Sequence, residues 1–516
     1  MEEDLNLANT SPDADVESVS DRAELRETAP GWHKRLGLIF GLIALAWILV
    51  MYWVPQYRGD EYISVVLRTQ LSWPELFNAI NTDPALGPFY VLLKPWSMVS
   101  TETWWMRLPI VFSMAATVGV LVGMVRRQVG YREAVFAGLS MLALPAVSLW
   151  GTDVRPYAFS TLATVVAVSF WWRSMDDPRR RWSVGYGLAV AAMGLFHLYT
   201  LAALPALLVT VLFLDSSGRV EKLLRTTVPA VLGVLLITPH IFLNLRFPTG
   251  SASNPPVEIS IIRALVRETV GPTWMLVAVI AICLMAIIAL ALSPHHRPAA
   301  ILALSWIVLS FLVLVAAHEV FDIPTMIKRY FVFVLPGIAL LMGVGLGYIS
   351  QRWMPIAVVS IIATFLLGVP TQYEFRQFDG HSVTNRIAYQ LASPALAGWP
   401  IVASVPSDDT LVNAAFFPEE VLTPRDAPLE PVAVVFRKKF VPMGVTPSPY
   451  VAPGSEWKTI IVCPVSPTRE FLIVANPVGV EEIGDPNALL TKLNNPEQFK
   501  KKKCRLADKP KKRSQQ

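Results

Sequence analysis

The side chains able to move a proton or hold an anion sit in a few short clusters at the ends of apolar runs. Arg58-Gly59-Asp60-Glu61 follows the first run, which ends at Val54. It offers two carboxylates and a guanidinium, with a glycine that permits a turn. A carboxylate there can serve as general base toward a membrane-borne substrate; it can equally be a solvated loop acid. Asn81-Thr82-Asp83-Pro84-Ala85-Leu86-Gly87-Pro88-Phe89-Tyr90 and then Lys94-Pro95-Trp96 mix a carboxylate, a cation and aromatics, which suit either a binding loop or interfacial anchoring. Asp153-Val154-Arg155-Pro156-Tyr157 is a link so short that Arg155 must stay near the boundary, snorkelling or binding an anion. Lys328-Arg329-Tyr330 opens a late apolar run, and His197 with Tyr199 lies at a tight turn, where a histidine can also be a buried, hydrogen-bonded one.

Other motifs carry less. Asp13-Ala14-Asp15 copies an acidic metal-binding pattern but lies in a polar tail, and the adjacent His295-His296 are poorly placed to share a metal. No Walker lysine motif, HExxH or dinucleotide fingerprint opens a helix. No cofactor is expected, although the carboxylates could hold a divalent ion.

These clusters need a membrane scaffold. Of the 516 residues, 53% are hydrophobic and 16% charged, with mean hydropathy +0.47, whereas soluble chains carry about 25% charged residues. Three cysteines exclude a disulfide scaffold. Runs of about 20 apolar residues cross the hydrocarbon core. About eleven are expected, at 36–54, 107–125, 134–150, 157–172, 184–198, 200–214, 227–243, 273–292, 299–317, 330–349 and 355–370. The richer set of short-loop cations, from Lys34 and Arg35 through Arg126, Arg127 and Arg173 to Arg352, puts the N-terminus in the cytoplasm. Arg58, Lys94, Arg155, Lys328 and Arg329 then stand on the outer face, against that trend, and an anionic ligand would explain them.

The net charge of +5 conceals a dipolar layout. Residues 1–30 hold nine acidic and two basic residues, and residues 500–516 hold nine basic residues and Asp508. The expected organisation is a disordered cytoplasmic tail (1–32), a transmembrane domain (33–370) with a first outer loop at 55–104, a small extracytoplasmic α/β domain (371–499) and a basic tail (500–516). In the first loop, Ser72-Trp73-Pro74-Glu75 is a capping box, and Trp73, Leu76, Phe77 and Ile80 form the stripe of an amphipathic helix. After residue 370, Ile401–Val405, Val432–Phe436, Thr459–Val462 and Phe471–Ala475 read as strands. An oxidising compartment would let Cys463 and Cys504 pair.

In their order, Asp60-Glu61, Asp83 with Gly87 and Tyr90, Met106-Arg107-Leu108-Pro109, Asp153-Val154-Arg155-Pro156-Tyr157-Ala158, Phe196-His197-Leu198 and Lys328-Arg329-Tyr330 resemble the GT-C superfamily of polyprenyl-phosphate-sugar glycosyltransferases. The likeness spans about residues 36–350 and is nearest the protein O-mannosyltransferases and the actinobacterial envelope mannosyltransferases. It implies an all-α multi-pass enzyme of the plasma membrane that inverts the anomeric carbon on the extracytoplasmic side. Its partners would be a polyprenyl-phosphate sugar donor, a glycan or lipoglycan acceptor and membrane lipids, with no nucleic acid. The family's base falls on Asp60, with Glu61 the weaker candidate. Its phosphate-facing cations fall on Arg155, Lys328 and Arg329, and Arg58 is grouped with them. Asp83, Tyr90, Lys94, Tyr157, His197 and Tyr330 complete the expected substrate contacts. Many relatives carry histidine where this chain has Leu86, so the first loop departs from the pattern. The reading is transfer of a sugar, foremost mannose, to an envelope glycan or lipoglycan. Protein O-mannosylation and arabinofuranosyl transfer stand within the class, a lipid or glycan transporter or flippase and a structural assembly factor outside it. Transporters place ionisable groups near the bilayer midplane, whereas here they gather at span ends.

Overall fold

The computed structural model describes residues 35–51, 61, 63–82, 84–213, 218–246 and 257–379, and after these 401–403, 421–422, 432–438, 458–466, 469–493 and 505–506. The expected N-terminal tail, Arg58, Asp60, Asp83 and Cys504 lie outside them, as do most of 380–457 and all of the expected basic tail but 505–506.

The apolar runs fold as helices. In chain order these are α1 (Leu36–Met51), α2 (Trp73–Thr82), α3 (Gly87–Ser97), α4 (Thr103–Gln128), α5 (Tyr131–Ala143), α6 (Pro145–Trp150), α7 (Tyr157–Asp176), α8 (Arg180–Phe196) and α9 (Leu204–Phe213). They continue as α10 (Arg219–Leu236), α11 (Thr238–Arg246), α12 (Ile259–Thr269), α13 (Thr273–Leu292), α14 (Arg297–Phe321) and α15 (Leu335–Asp379). Each of the eleven expected segments has a helical counterpart. By length and hydropathy four helical stretches among the described residues are long and apolar enough to cross a membrane, and the bent pair α10–α11 makes a fifth. The remaining segments are shorter or interrupted. The run 134–150 breaks at Leu144, because Pro145 cannot continue the helix. Carbonyls freed at that break do not stay bare: Gln372 Nε2 donates to Leu142 O at 3.1 Å and Ala143 O at 3.3 Å, while its Oε1 accepts from Ser148 Oγ at 2.7 Å. The runs expected at 330–349 and 355–370 join into α15, with a single non-helical residue, Trp353, at the kink.

Packing places the first helix tightly against α4. A Cβ on Gly37 would lie 2.7 Å from Gly119 O, and one on Gly119 would lie 2.8 Å from Gly37 O, so only glycine lets these backbones meet. Beyond α2 the chain is stapled at a corner. Trp96 and Trp105 stack with centroids 4.2 Å apart, and each indole Nε1–H donates to the other's carbonyl, at 2.9 and 3.0 Å.

After α15 the described segments form a mixed six-stranded sheet of order β2-β1-β3-β5-β4-β6. Its strands are β1 (Ile401–Ala403), β2 (Val421–Leu422), β3 (Val432–Lys438), β4 (Lys458–Ser466), β5 (Arg469–Ala475) and β6 (Arg505–Leu506). The four expected strands correspond to β1, β3, β4 and β5, and two short helices, α16 (Pro477–Ile483) and α17 (Pro486–Leu493), follow them. Cys463 is disulfide-bonded.

Candidate functional site

The amphipathic helix α2 forms as its capping box dictates. Ser72 N and Oγ donate to Glu75 Oε2 at 2.8 and 2.7 Å, and Glu75 N returns a bond to Ser72 Oγ at 3.5 Å. These bonds hold the Glu75 carboxyl below its usual range. The expected stripe splits. Leu76 is buried and Ile80 packs inward under Gly87, whereas Trp73 and Phe77 stack on each other at the surface.

Glu61 is fully buried, and its carboxylate is gripped from two sides. Arg107 Nε donates to Oε1 at 3.0 Å and an Arg107 terminal nitrogen to Oε2 at 2.6 Å, while Val154 N donates to Oε1 at 3.0 Å. This bidentate pair joins the first loop, α4 and the link before α7. The geometry is that of a strong charge-assisted clamp, and it favours the ionised carboxylate without leaving it open to an acceptor. Arg107 stands in the Met106–Pro109 motif, but its pairing with Glu61 is not revealed by spacing, since the two lie 46 positions apart.

Lys94 and Tyr90 are both buried on α3. The Lys94 ammonium donates to Thr69 O at 3.1 Å and to Leu71 O, and lies 5.4 Å from the Trp73 ring centroid. It braces the loop from inside. Tyr90 is buried beside Phe89 on α3.

Arg155, Tyr157, His197, Arg329 and Tyr330 do converge. Tyr157 opens α7, His197 ends α8, and Tyr330 lies in the 3₁₀ turn Lys328–Val334 that leads into α15. The His197 ring centroid is 5.5 Å from that of Tyr157 and 4.8 Å from that of Tyr330, with Tyr199 4.9 Å from Tyr330. Trp150 closes one edge, 5.6 Å from Tyr157. Arg155 donates to Ser64 Oγ at 3.3 Å, and the Arg329 guanidinium lies 5.9 Å from the Tyr330 centroid. Both guanidinium charges reach Tyr157 and His197 electrostatically. The His197 backbone is fixed, because its carbonyl accepts from Thr200 N at 3.0 Å and Thr200 Oγ1 at 2.8 Å. Its buried Nδ1 has no hydrogen-bond partner among the described residues, so a polar atom faces into an aromatic, cation-flanked cluster.

Beside this cluster lies a cavity of about 420 Å³ lined by Trp150, Glu268, Met326, Ile327, Lys328 and Arg329. Lys328 Nζ pairs with Glu268 Oε2 at 2.6 Å. Glu268 belongs to α12, an element missed in the sequence, although Ile261, Leu265 and Val266 beside charged Arg263 and Arg267 give it an amphipathic face. Among the described residues no group of three or more His, Cys, Asp or Glu is gathered to hold a metal.

Residues 86–243, which carry α3 to α10 and the Arg155–Tyr157 link, match the family model described as dolichyl-phosphate-mannose-protein mannosyltransferase. No curated protein gives a significant match. Among solved structures, ArnT from Cupriavidus metallidurans in the apo state aligns at 15% identity and TM-score 0.54, over 87% of this chain and 98% of that one. The same protein bound to undecaprenyl phosphate aligns at 15% identity and TM-score 0.50, over 84% and 97%. The chain has the GT-C fold. The matched family model describes a glycosyltransferase, and the shared fold is that of ArnT. The GT-C resemblance in the motifs and the helical architecture point to the same class.

Proposed function

We propose that this chain transfers a sugar, foremost mannose, from a polyprenyl-phosphate donor to an envelope glycan or lipoglycan on the extracytoplasmic face, inverting the anomeric carbon. The observation that carries the reading is the convergence of Arg155 and Arg329 on the Tyr157–His197–Tyr330 cluster beside the cavity at the α7 N-terminus. The bound undecaprenyl phosphate of ArnT, a protein of the same fold, supports a lipid phosphate as the donor's leaving group.

In this mechanism an acceptor hydroxyl attacks the anomeric carbon, the bond from that carbon to the phosphate oxygen breaks, and the lipid phosphate departs. A base takes the hydroxyl proton, and cations offset the charge that grows on the phosphate. Asp60 is the base, on its place in the family pattern. Arg155 and Arg329 face the phosphate, with Lys328 tempered by Glu268 and Arg58 assigned on sequence alone. Tyr157, His197 and Tyr330 wall the site, and Asp83 belongs to the acceptor side of the first loop. Glu61, held by Arg107 and Val154 N, positions that loop rather than taking a proton. Lys94 and Tyr90 shape it from within. The sheet after residue 380 serves the acceptor or the surface, outside the membrane.

The test is transfer of radiolabel from polyprenyl-phosphate-mannose to extracted lipoglycans by membranes with and without the protein. Asp60→Asn is expected to lower the rate by roughly 10²–10⁴-fold while the protein still accumulates. Normal turnover in that variant would remove Asp60 as base; label transfer only to protein would redirect the acceptor.

A further inference from the structure

At the other end of α7 from the aromatic cluster, four arginines surround a groove of about 630 Å³. Arg35 precedes α1, Arg126 and Arg127 end α4, and Arg173 lies in the last turn of α7. Arg173 follows Tyr157 by sixteen positions, which is about 24 Å along a helix axis, so this groove is remote from the candidate site. No carboxylate is among its described lining residues. Near its rim Asp176 accepts from Gln128 at 2.9 Å, and Asp177 accepts from Trp182 at 2.8 Å. Arg173 senses the like charges of Arg127 and Arg181.

Like charges drawn around one cavity repel, and a planar, bidentate donor such as guanidinium fits a phosphate group well. The hydroxyl of buried Ser169 adds a further polar group to the lining. The remaining wall is apolar. Leu38, Val120 and Met124 line it, and Leu38 is 64% exposed on a helix face that also exposes Leu42 and Ile43. The shape of the groove depends on glycine. Gly123 lines it, and a Cβ built there meets nothing within 4 Å, so the absent side chain is empty space. Charge at the helix ends and apolar surface continuous with a lipid-facing helix match an amphiphile better than a soluble ion.

We propose that this groove binds the phosphate headgroup of an anionic membrane phospholipid, with Arg126, Arg127 and Arg173 on the phosphate and the acyl chains along Leu38 and Val120. The site is independent of the sugar-transfer reading. Full-length protein, purified in a neutral detergent and incubated with an equimolar mixture of phosphatidylglycerol and phosphatidylcholine, is examined by native mass spectrometry. The expected result is preferential retention of phosphatidylglycerol, by tenfold or more. Arg126→Gln with Arg127→Gln should erase most of that preference, and Gly123→Leu, which fills the groove and leaves every charge in place, should do the same. If the arginine pair fails to fold, judged by gel filtration, Gly123→Leu carries the test. Equal retention of both lipids, or a preference untouched by Gly123→Leu, overturns the proposal. So does complete displacement of the lipid by millimolar inorganic phosphate, which would assign the groove to a soluble anion.

Discussion

Two buried carboxylates hold this bundle together at different places, and they are built differently. Glu61 meets an arginine through two hydrogen bonds and also takes a backbone N–H, from Val154. Glu133, on α5, meets His296 Nε2 at 3.0 Å, while His296 Nδ1 lies 2.8 Å from Ser293 Oγ. A neutral imidazole satisfies that second set completely, donating from Nε2 and accepting at Nδ1. The first is a bidentate ion pair across a loop, a link and a helix; the second is a polar peg between α5 and the turn before α14. A guanidinium cannot lose its proton in a protein, so on the arginine side the clamp keeps its charge at any ordinary pH. Firm anchoring belongs where a reacting group must be placed, and the peg needs only to satisfy buried atoms.

That contrast can be broken. Arg107→Ala strands a buried carboxylate and should cost about 3–5 kcal/mol of stability, with transfer activity lost even at temperatures where the protein stays folded. Thermal unfolding and radiolabel transfer, measured together, check it. If activity survived in folded protein, the clamp would be scaffold only, no different in kind from the Glu133 peg. Replacing both partners, Glu61→Gln with Arg107→Met, should recover stability and leave activity low.

Arg155→Ala sharpens the comparison at the reacting end. Loss of a charged hydrogen-bonding partner is worth about 1.5–3 kcal/mol, so the KM for the lipid donor should rise tenfold or more while the acceptor KM changes little. A fall in stability with unchanged donor kinetics would move Arg155 to the structural side, next to Glu61. Glu133→Gln comes next. It keeps the shape of the peg and should cost about 1–2 kcal/mol without any change in transfer rate, read by the same two assays; a loss of activity would join the two ends of the bundle functionally.

The smallest effect concerns α2. The Glu75 carboxyl titrates below its usual value because Ser72 bonds to its ionised form. The stabilisation is therefore complete above the unfolded carboxyl pKa and is lost as pH falls through the lower, folded one. Amide protection factors in residues 73–82, corrected for the intrinsic exchange rate at each pH, should fall under acid in the native chain and show a weaker acid response in Ser72→Ala. An identical acid response in both would remove the capping box as its cause.

Much of this was legible in the sequence because hydropathy runs are local. The helix positions, the capping box at Ser72 and the strands at 432 and 471 follow from periodicity and spacing within a few residues. Arg155, Tyr157, His197 and Tyr330 could be read as a group because each stands at the end of a run. What local pattern does not encode is the partner of a buried charge. Glu61 and Arg107 are 46 residues apart, Glu133 and His296 are 163 apart, and Lys328 meets a helix that looked like loop. The arginine groove is a similar case. Arg35, Arg126, Arg127 and Arg173 each look like an ordinary loop-end cation, and only the Gly37–Gly119 contact, drawing α1 onto α4, shows how helices distant in sequence frame a common cavity. Interruptions within the runs, at Leu144 and Trp353, each stand just ahead of a proline, Pro145 and Pro355, whose ring and missing N–H break the helical ladder.

The reciprocal tryptophan bonds between α3 and α4 also have a mechanical meaning. A turn held by one stacked pair and two hydrogen bonds, both bridging the same two residues, is a welded corner rather than a hinge. Torque applied to the first loop passes through it to α4 without being absorbed. Movement of the first loop is therefore expected to pivot on the other side of α3, in the stretch that leads into Gly87, with α4 setting the angle from which it swings.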